Sequence, residues 1–178
     1  MANYIGAKSA GVIANVDGGT IENATLASSV TFPAGHIIES KSTSTSSYSS
    51  FTDNDFEAIT GFNQQIDVKS SNSKMLIFLF LSGAGAENNT CLSVNLTEST
   101  TSLDVPLTEI SGFTANTEKG FDQTTLFYEH NHNQSVGTSL TYTPKFNSAL
   151  DLSQAFVNNY MNSAGNAHSV ILVQELMQ

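Results

Sequence analysis

Two histidines one residue apart, His130 and His132, are the most metal-like signal in the sequence. On a strand, positions i and i+2 share a face, so both rings can approach one ion. A metal site needs further ligands, and spacing brings neither His36 nor His168 to the pair, while Glu129 would face the other way. The two rings also sit in His130-Asn131-His132-Asn133-Gln134, a polar, turn-like stretch, so exposed loop histidines are expected. Asp53-Asn54-Asp55-Phe56-Glu57 carries oxygen donors but lacks the Gly and the spaced Glu of a helix–loop–helix calcium loop, and reads as a solvated turn. Cys91 is the one cysteine, which excludes an internal disulfide; it is expected as a small buried apolar residue. With 16 Asp and Glu in the chain, some carboxylate pair will lie close by chance, so the spatial pairing of a glycosidase cannot be read from sequence. Gly83-Ala84-Gly85-Ala86 follows an apolar run but lacks the Lys-Ser/Thr of a phosphate loop. No catalytic, cofactor-binding or metal-ligating residue is assigned, and no cofactor is expected.

The elements that would position such residues are strands. The run Met75 to Leu81 is seven apolar residues long, with a Ser/Asn/Lys entry before it and a Gly-rich exit after it. It is far shorter than the roughly 20 residues of a membrane-spanning helix and reads as a central strand, 74–82, buried on both faces. Ser, Thr and Asn are abundant and compete with a helical backbone for hydrogen bonds, which favours strands and turns. Eleven Phe and five Tyr supply core volume in the absence of Trp.

Taken in order, residues 1–31 are Gly-rich and lack the large apolar residues of a core; they are expected to form an N-terminal arm ordered by another chain. Residues 32–178 are expected to form one antiparallel β-sandwich of jelly-roll type, all-β, with about eight short strands. Strands are expected at 36–40, 62–68 (Phe62, Gln64, Ile66 and Val68 on one face), 90–98 (Leu92, Val94 and Leu96 on one face), 121–130, 138–146 with Pro144 near its end, and 168–177. Residues 41–50, 83–89 and 99–109 read as connections, 109–113 as a further short strand, 115–120 and 131–137 as turns. Residues 147–167 are open: 150–161 has near-helical spacing, and the alternative is a long loop with a short strand at 155–160.

The net charge of −10, with only six Lys and Arg, disfavours nucleic acid and anionic membranes as partners and favours solubility. The N-terminus lacks a basic segment followed by an apolar core, so synthesis and folding in the cytoplasm are expected, without a signal peptide and without membrane insertion.

Three segments carry a resemblance. Val30-Thr31-Phe32-Pro33-Ala34-Gly35-His36-Ile37-Ile38, then Ser70-Ser71-Asn72-Ser73-Lys74 with the apolar run after it, then the closing strand His168 to Met177, resemble in order and spacing a β-rich module of cyanophage and marine-phage virion proteins. The module is known mostly as the C-terminal part of tail fibres. The resemblance spans 30–178, is concentrated at these segments and includes no catalytic motif. It implies a homotrimeric, non-enzymatic β-sandwich on the virion surface. In the tail-fibre or receptor-binding form, loops 83–89, 99–120 and 131–137 would contact a host surface glycan or protein, and the arm would attach to a tail protein. As a capsid decoration (cement) protein, the arm would instead grip the major capsid protein. A virion-associated glycan-degrading enzyme is the remaining alternative.

Overall fold

The computed structural model describes residues 33–86, 90–111, 122–149, 154–160, 163–164 and 167–178. The expected arm, 1–31, and the expected turn, 115–120, lie outside the described residues. Strands follow one another along the chain as β1 (Ile37–Thr45), β2 (Ser49–Phe51), β3 (Glu57–Ala58), β4 (Gln64–Asp67), β5 (Ser73–Ala86), β6 (Cys91–Glu98) and β7 (Leu103–Ser111). They continue as β8 (Asp122–His130), β9 (Ser139–Ser148), β10 (Ala155–Val157), β11 (Asn159–Tyr160), β12 (Ser163–Ala164) and β13 (Ser169–Met177).

Among the described residues every strand pairing is antiparallel, and the long strands alternate between two sheets. Sheet 1 runs β8-β5-β13-β1 and sheet 2 runs β7-β6-β9-β4. The chain enters sheet 1 with β1, crosses to sheet 2 with β4, returns with β5, crosses for β6 and β7, returns with β8, crosses for β9 and closes sheet 1 with β13. This is the jelly-roll connectivity, and it bears out the fold class expected from strand spacing. The short strands extend the sheets: β10 and β2 continue sheet 1 beyond β13 and β1, and β3 continues sheet 2 beyond β4.

The core is what the period-2 patterns predict. Phe62, Ile66 and Val68, then Leu92, Val94 and Leu96, are completely buried, and Met75, Ile77, Leu79 and Leu81 meet them from sheet 1. β13, the last strand, lies in the middle of its sheet, between β1 and β5. Tyr142 and Phe146 fill the interior from β9, and the Phe146 ring stacks on Phe51 with centroids 5.5 Å apart.

Several expectations need correction. β5 is not buried on both faces: Lys74, Leu76 and Phe78 are half-buried and Phe80 is exposed, because sheet 1 is a two-layer sandwich's outer wall on that side. The run also does not end at Ser82. An extra residue between Leu81 and Ala84 forms a bulge opposite β8, with Gly83 at φ 58°, and the strand bends and continues to Ala86. Residues 41–45 are strand rather than connection. They are polar because β1 is an edge strand with Ser40, Ser42 and Ser44 turned outward. Residues 103–109 are likewise the edge strand β7, which accommodates Pro106 at a one-residue bulge. Pro144 lies inside β9 rather than near its end. It falls in the gap between β4, which pairs up to Tyr142, and β3, which begins at Lys145. At 155–160 the strand alternative holds over the helix: β10 and β11 flank Asn158.

Asn158 explains that break. It is completely buried with φ 59°, a left-handed conformation that Asn tolerates better than other residues with a side chain. Its Nδ2 donates to the carbonyl oxygens of Thr45 (3.3 Å) and Ser47 (3.0 Å), and its Oδ1 accepts from Ser169 Oγ at 2.7 Å. One amide thus ties together the seam where β1 gives way to β2 and β13 to β10.

Candidate functional site

Two places concentrate polar side chains: one inside the sandwich, one on the outer face of sheet 2. The interior cluster gathers residues from six parts of the chain. His130 ends β8, His132 follows in the β8–β9 connection, Glu98 ends β6, Tyr142 comes from β9, Ser73 starts β5 and Glu175 comes from β13. Both histidines are buried, at 7% and 2% exposure, so the expected loop histidines are interior groups. The sequence reading failed here because the partners that make burial tolerable are distant in sequence.

Glu175 is completely buried and accepts from Lys69 N (2.9 and 3.0 Å to its two oxygens), Ser70 N (2.9 Å) and Ser73 Oγ (2.6 Å). His132 Nδ1 accepts from Gln134 N at 2.9 Å, which leaves the proton on Nε2, 3.2 Å from Ser73 Oγ. Glu98 accepts from Thr100 N, from Thr101 N and Oγ1, and from Thr141 N, at 2.7–3.2 Å. His130 Nδ1 is 2.7 Å from Tyr142 Oη, and the two histidine rings meet edge to face with centroids 6.5 Å apart. Burial holds both imidazoles below their usual pKa, against the pull of Glu98 on His130 and of Glu175 on His132. Burial also drives the Tyr142 phenol upward, with Glu98 and Tyr128 adding to it. For Glu98, burial pushes upward, but the hydrogen bonds from Thr101 and Thr100 outweigh it and leave the carboxyl below its usual range.

Ser73, His132 and Glu175 are the residue types of a hydrolytic triad, but they are wired differently. In a triad the carboxylate orients the histidine and the histidine's free nitrogen takes the serine proton. Here the carboxylate binds the serine, and the histidine's acceptor nitrogen is taken by a backbone N–H. The serine hydroxyl is also shared with the carbonyl of Ser70 at 2.6 Å. The arrangement fixes the turns at 69–72 and 131–138 to the sheets; it does not create a nucleophile. Among the described residues no group of three or more His, Cys, Asp and Glu is arranged to hold a metal ion. Cys91 is half-exposed rather than buried, because it begins β6 on the outward register.

The second place is a groove of about 660 Å³ on the outer face of sheet 2. Its floor is the row Asn147–Ser93–Glu109, three residues paired across β9, β6 and β7. One wall is the 52–56 turn with Asn54 and Phe56; the other is the bulged part of β7 around Pro106. Asp55 N donates to Asp53 Oδ1 (3.2 Å), Ser148 N to Asp53 O (2.9 Å) and Asn147 Nδ2 to Asn54 O (2.7 Å), so the turn is held against β9. The expected turn at 53–55 is thus present, but it forms a groove wall. A smaller depression of about 310 Å³, lined by Thr97, Asp104, Thr143 and Lys145, continues along the same face.

No family model matches this chain, and no curated protein matches it. Among solved structures the chain is similar to one described as the structure of infectious bursal disease virus, Gx strain, at 11% identity and a TM-score of 0.37. The match covers 88% of this chain and 47% of that one, so the chain spans about half of its neighbour's length.

Proposed function

We propose that the protein is a non-enzymatic structural component of a tailed-phage virion surface, self-associating and of the tail-fibre or receptor-binding kind. The observation that carries this reading is the jelly-roll connectivity, the architecture of many capsid and lectin domains. The resemblance of the 30–38, 70–81 and 168–177 segments to phage virion modules supports the same assignment. The outer face of sheet 1 supports self-association. Phe127 on β8 (53% exposed) packs on Phe78 at 5.0 Å between centroids, and Phe78 on Phe80 at 6.4 Å. Leu172 and Val170 on β13 lie in register beside Phe78 and Phe80. The charged side chains in this register, Lys74 and Glu129, neutralise each other at 2.8 Å. A neutral apolar face on a chain of net charge −10 is where a second, equally acidic copy can approach without repulsion.

The test is immunogold labelling of intact particles, with sedimentation of the purified chain. Label at the tail and an oligomer, a trimer by the resemblance, support the reading. Label over the head shell transfers the role to capsid decoration, and absence of label from particles refutes both.

A further inference from the structure

We propose that the groove on the outer face of sheet 2 is a binding site for a neutral glycan chain. The proposal deepens the recognition role above and rests on it for the glycan's source, the host surface; the chemistry of the groove stands separately.

The first argument is an unmet acceptor. Asn147 is 6% exposed in the groove floor. Its Nδ2 is used by the carbonyl of Asn54, which fixes the orientation of the amide, and its Oδ1 has no hydrogen-bond partner. A buried acceptor left unpaired costs stability, and native structures keep such a group mainly where something else satisfies it. Almost none of this oxygen is exposed, so a ligand hydroxyl pairs with it as the groove floor gives slightly toward the ligand.

The second argument is the company it keeps. Phe56 is the one apolar residue in Asp53-Asn54-Asp55-Phe56-Glu57, and it stands 38% exposed on the groove wall rather than turning into the core. A fixed aromatic ring offers a flat surface to the C–H face of a sugar, while Asn147, Ser93 and Glu109 offer donors and acceptors to its hydroxyls. This pairing of an apolar platform with convergent uncharged and carboxylate groups suits a hydroxyl-rich ligand with apolar faces. The carboxylate of Glu109 and the net charge of the chain oppose anionic sugars, which sets the class as neutral. The adjoining depression along the same face gives room for more than one sugar ring.

The experiment uses the full chain and a panel of neutral hexose and N-acetylhexosamine tetra- to hexasaccharides, read by saturation-transfer NMR and calorimetry, with sialylated and sulfated oligosaccharides as controls. At least one neutral oligosaccharide is expected to bind and the anionic ones not to. Phe56→Ala, on an exposed turn, is expected to weaken binding about tenfold. Asn147→Leu removes the acceptor and is expected to weaken it similarly; circular dichroism separates this from unfolding, and Ser93→Ala serves as a second floor variant should Asn147→Leu misfold. No binding by any neutral member at about 1 mM overturns the proposal, as does binding unchanged in both Phe56→Ala and a folded floor variant. Either result leaves the virion assignment, judged by particle labelling, where it stands.

Discussion

Replacing Glu175 tests whether the interior polar cluster is a structural clamp. Its carboxylate accepts from two backbone N–H groups and one hydroxyl and is completely buried. In Glu175→Gln one oxygen remains, but the new amide nitrogen faces at least one of those N–H donors. Oε1 alone accepts from all three donors, so none need be orphaned. The amide nitrogen meets Lys69 N head-on and the remaining bonds lose their charge, so a loss near 2 kcal/mol is expected, on the order of the difference between charged and neutral hydrogen bonds. Glu175→Ala takes the acceptor from the N–H groups of Lys69 and Ser70, while Ser73 Oγ keeps the carbonyl of Ser70, and it opens space, for a loss of about 4 kcal/mol. For a domain of this size roughly 2–4 °C of melting temperature accompanies each kcal/mol, so the Gln variant should melt roughly 4–8 °C lower and the Ala variant roughly 8–16 °C lower. The assay is urea and thermal unfolding followed by far-UV circular dichroism at one protein concentration, since self-association shifts apparent stability. A cycle with Ser73→Ala should show a coupling of roughly 0.5–3 kcal/mol. If Glu175→Ala costs less than about 0.5 kcal/mol, within the range of ordinary surface changes, the clamp reasoning fails.

Acid should loosen the same end of the sandwich. His130 and His132 are held below the reference value of 6.5, so the unfolded chain binds protons first and stability falls as pH drops through about 6.5; Glu98, held below 4.5, adds a further loss as pH falls through its own lowered value. Unfolding midpoints measured from pH 8 to pH 4 should show this decline, and a flat profile above pH 5 would count against buried neutral imidazoles. Tyr142→Phe leaves His130 Nδ1 without its 2.7 Å partner and should cost about 1–3 kcal/mol by urea unfolding. Phe127→Glu, placed on the exposed face of β8, should leave the fold intact by circular dichroism but shift the sedimentation coefficient to that of a single chain; an unchanged oligomer would remove the sheet-1 face from the contact. Gly137→Ala, at φ 87° with open space where the new methyl would go, should cost about 1–2 kcal/mol through backbone strain alone, checked by the same unfolding assay.

How much of this was legible depended on which force placed each residue. Where one face is buried and the other wet, alternation shows it, and Phe62 to Val68 and Leu92 to Leu96 were readable for that reason. Edge strands obey a weaker rule. β1 and β7 are strands by pairing although Ser42, Ser44, Asp104 and Pro106 give them the composition of loops. The outer face of β5 was misread because an apolar run looks the same whether its second face meets protein or a partner. The cluster around His132 and Glu175 was invisible because it is made by residues about 40 to 100 positions apart, and no spacing rule reaches that far. The groove left one trace in the sequence, a phenylalanine among acidic and amide side chains at 53–57; Asn147 left none, since its unpaired oxygen exists only once the turn docks on β9.

The position of β13 bears on how the molecule comes into being. Its neighbours on either side, β1 and β5, are complete long before residues 169–177 leave the ribosome, and neither can reach its final partner until they do. During that interval two strands, one of them the most apolar in the chain, wait with open edges. Topologies dominated by such distant pairings fold slowly and expose sticky intermediates. A nascent chain of this design has its greatest need of chaperones until β13 has emerged, and premature termination within β13 would yield aggregates rather than a shortened but folded protein.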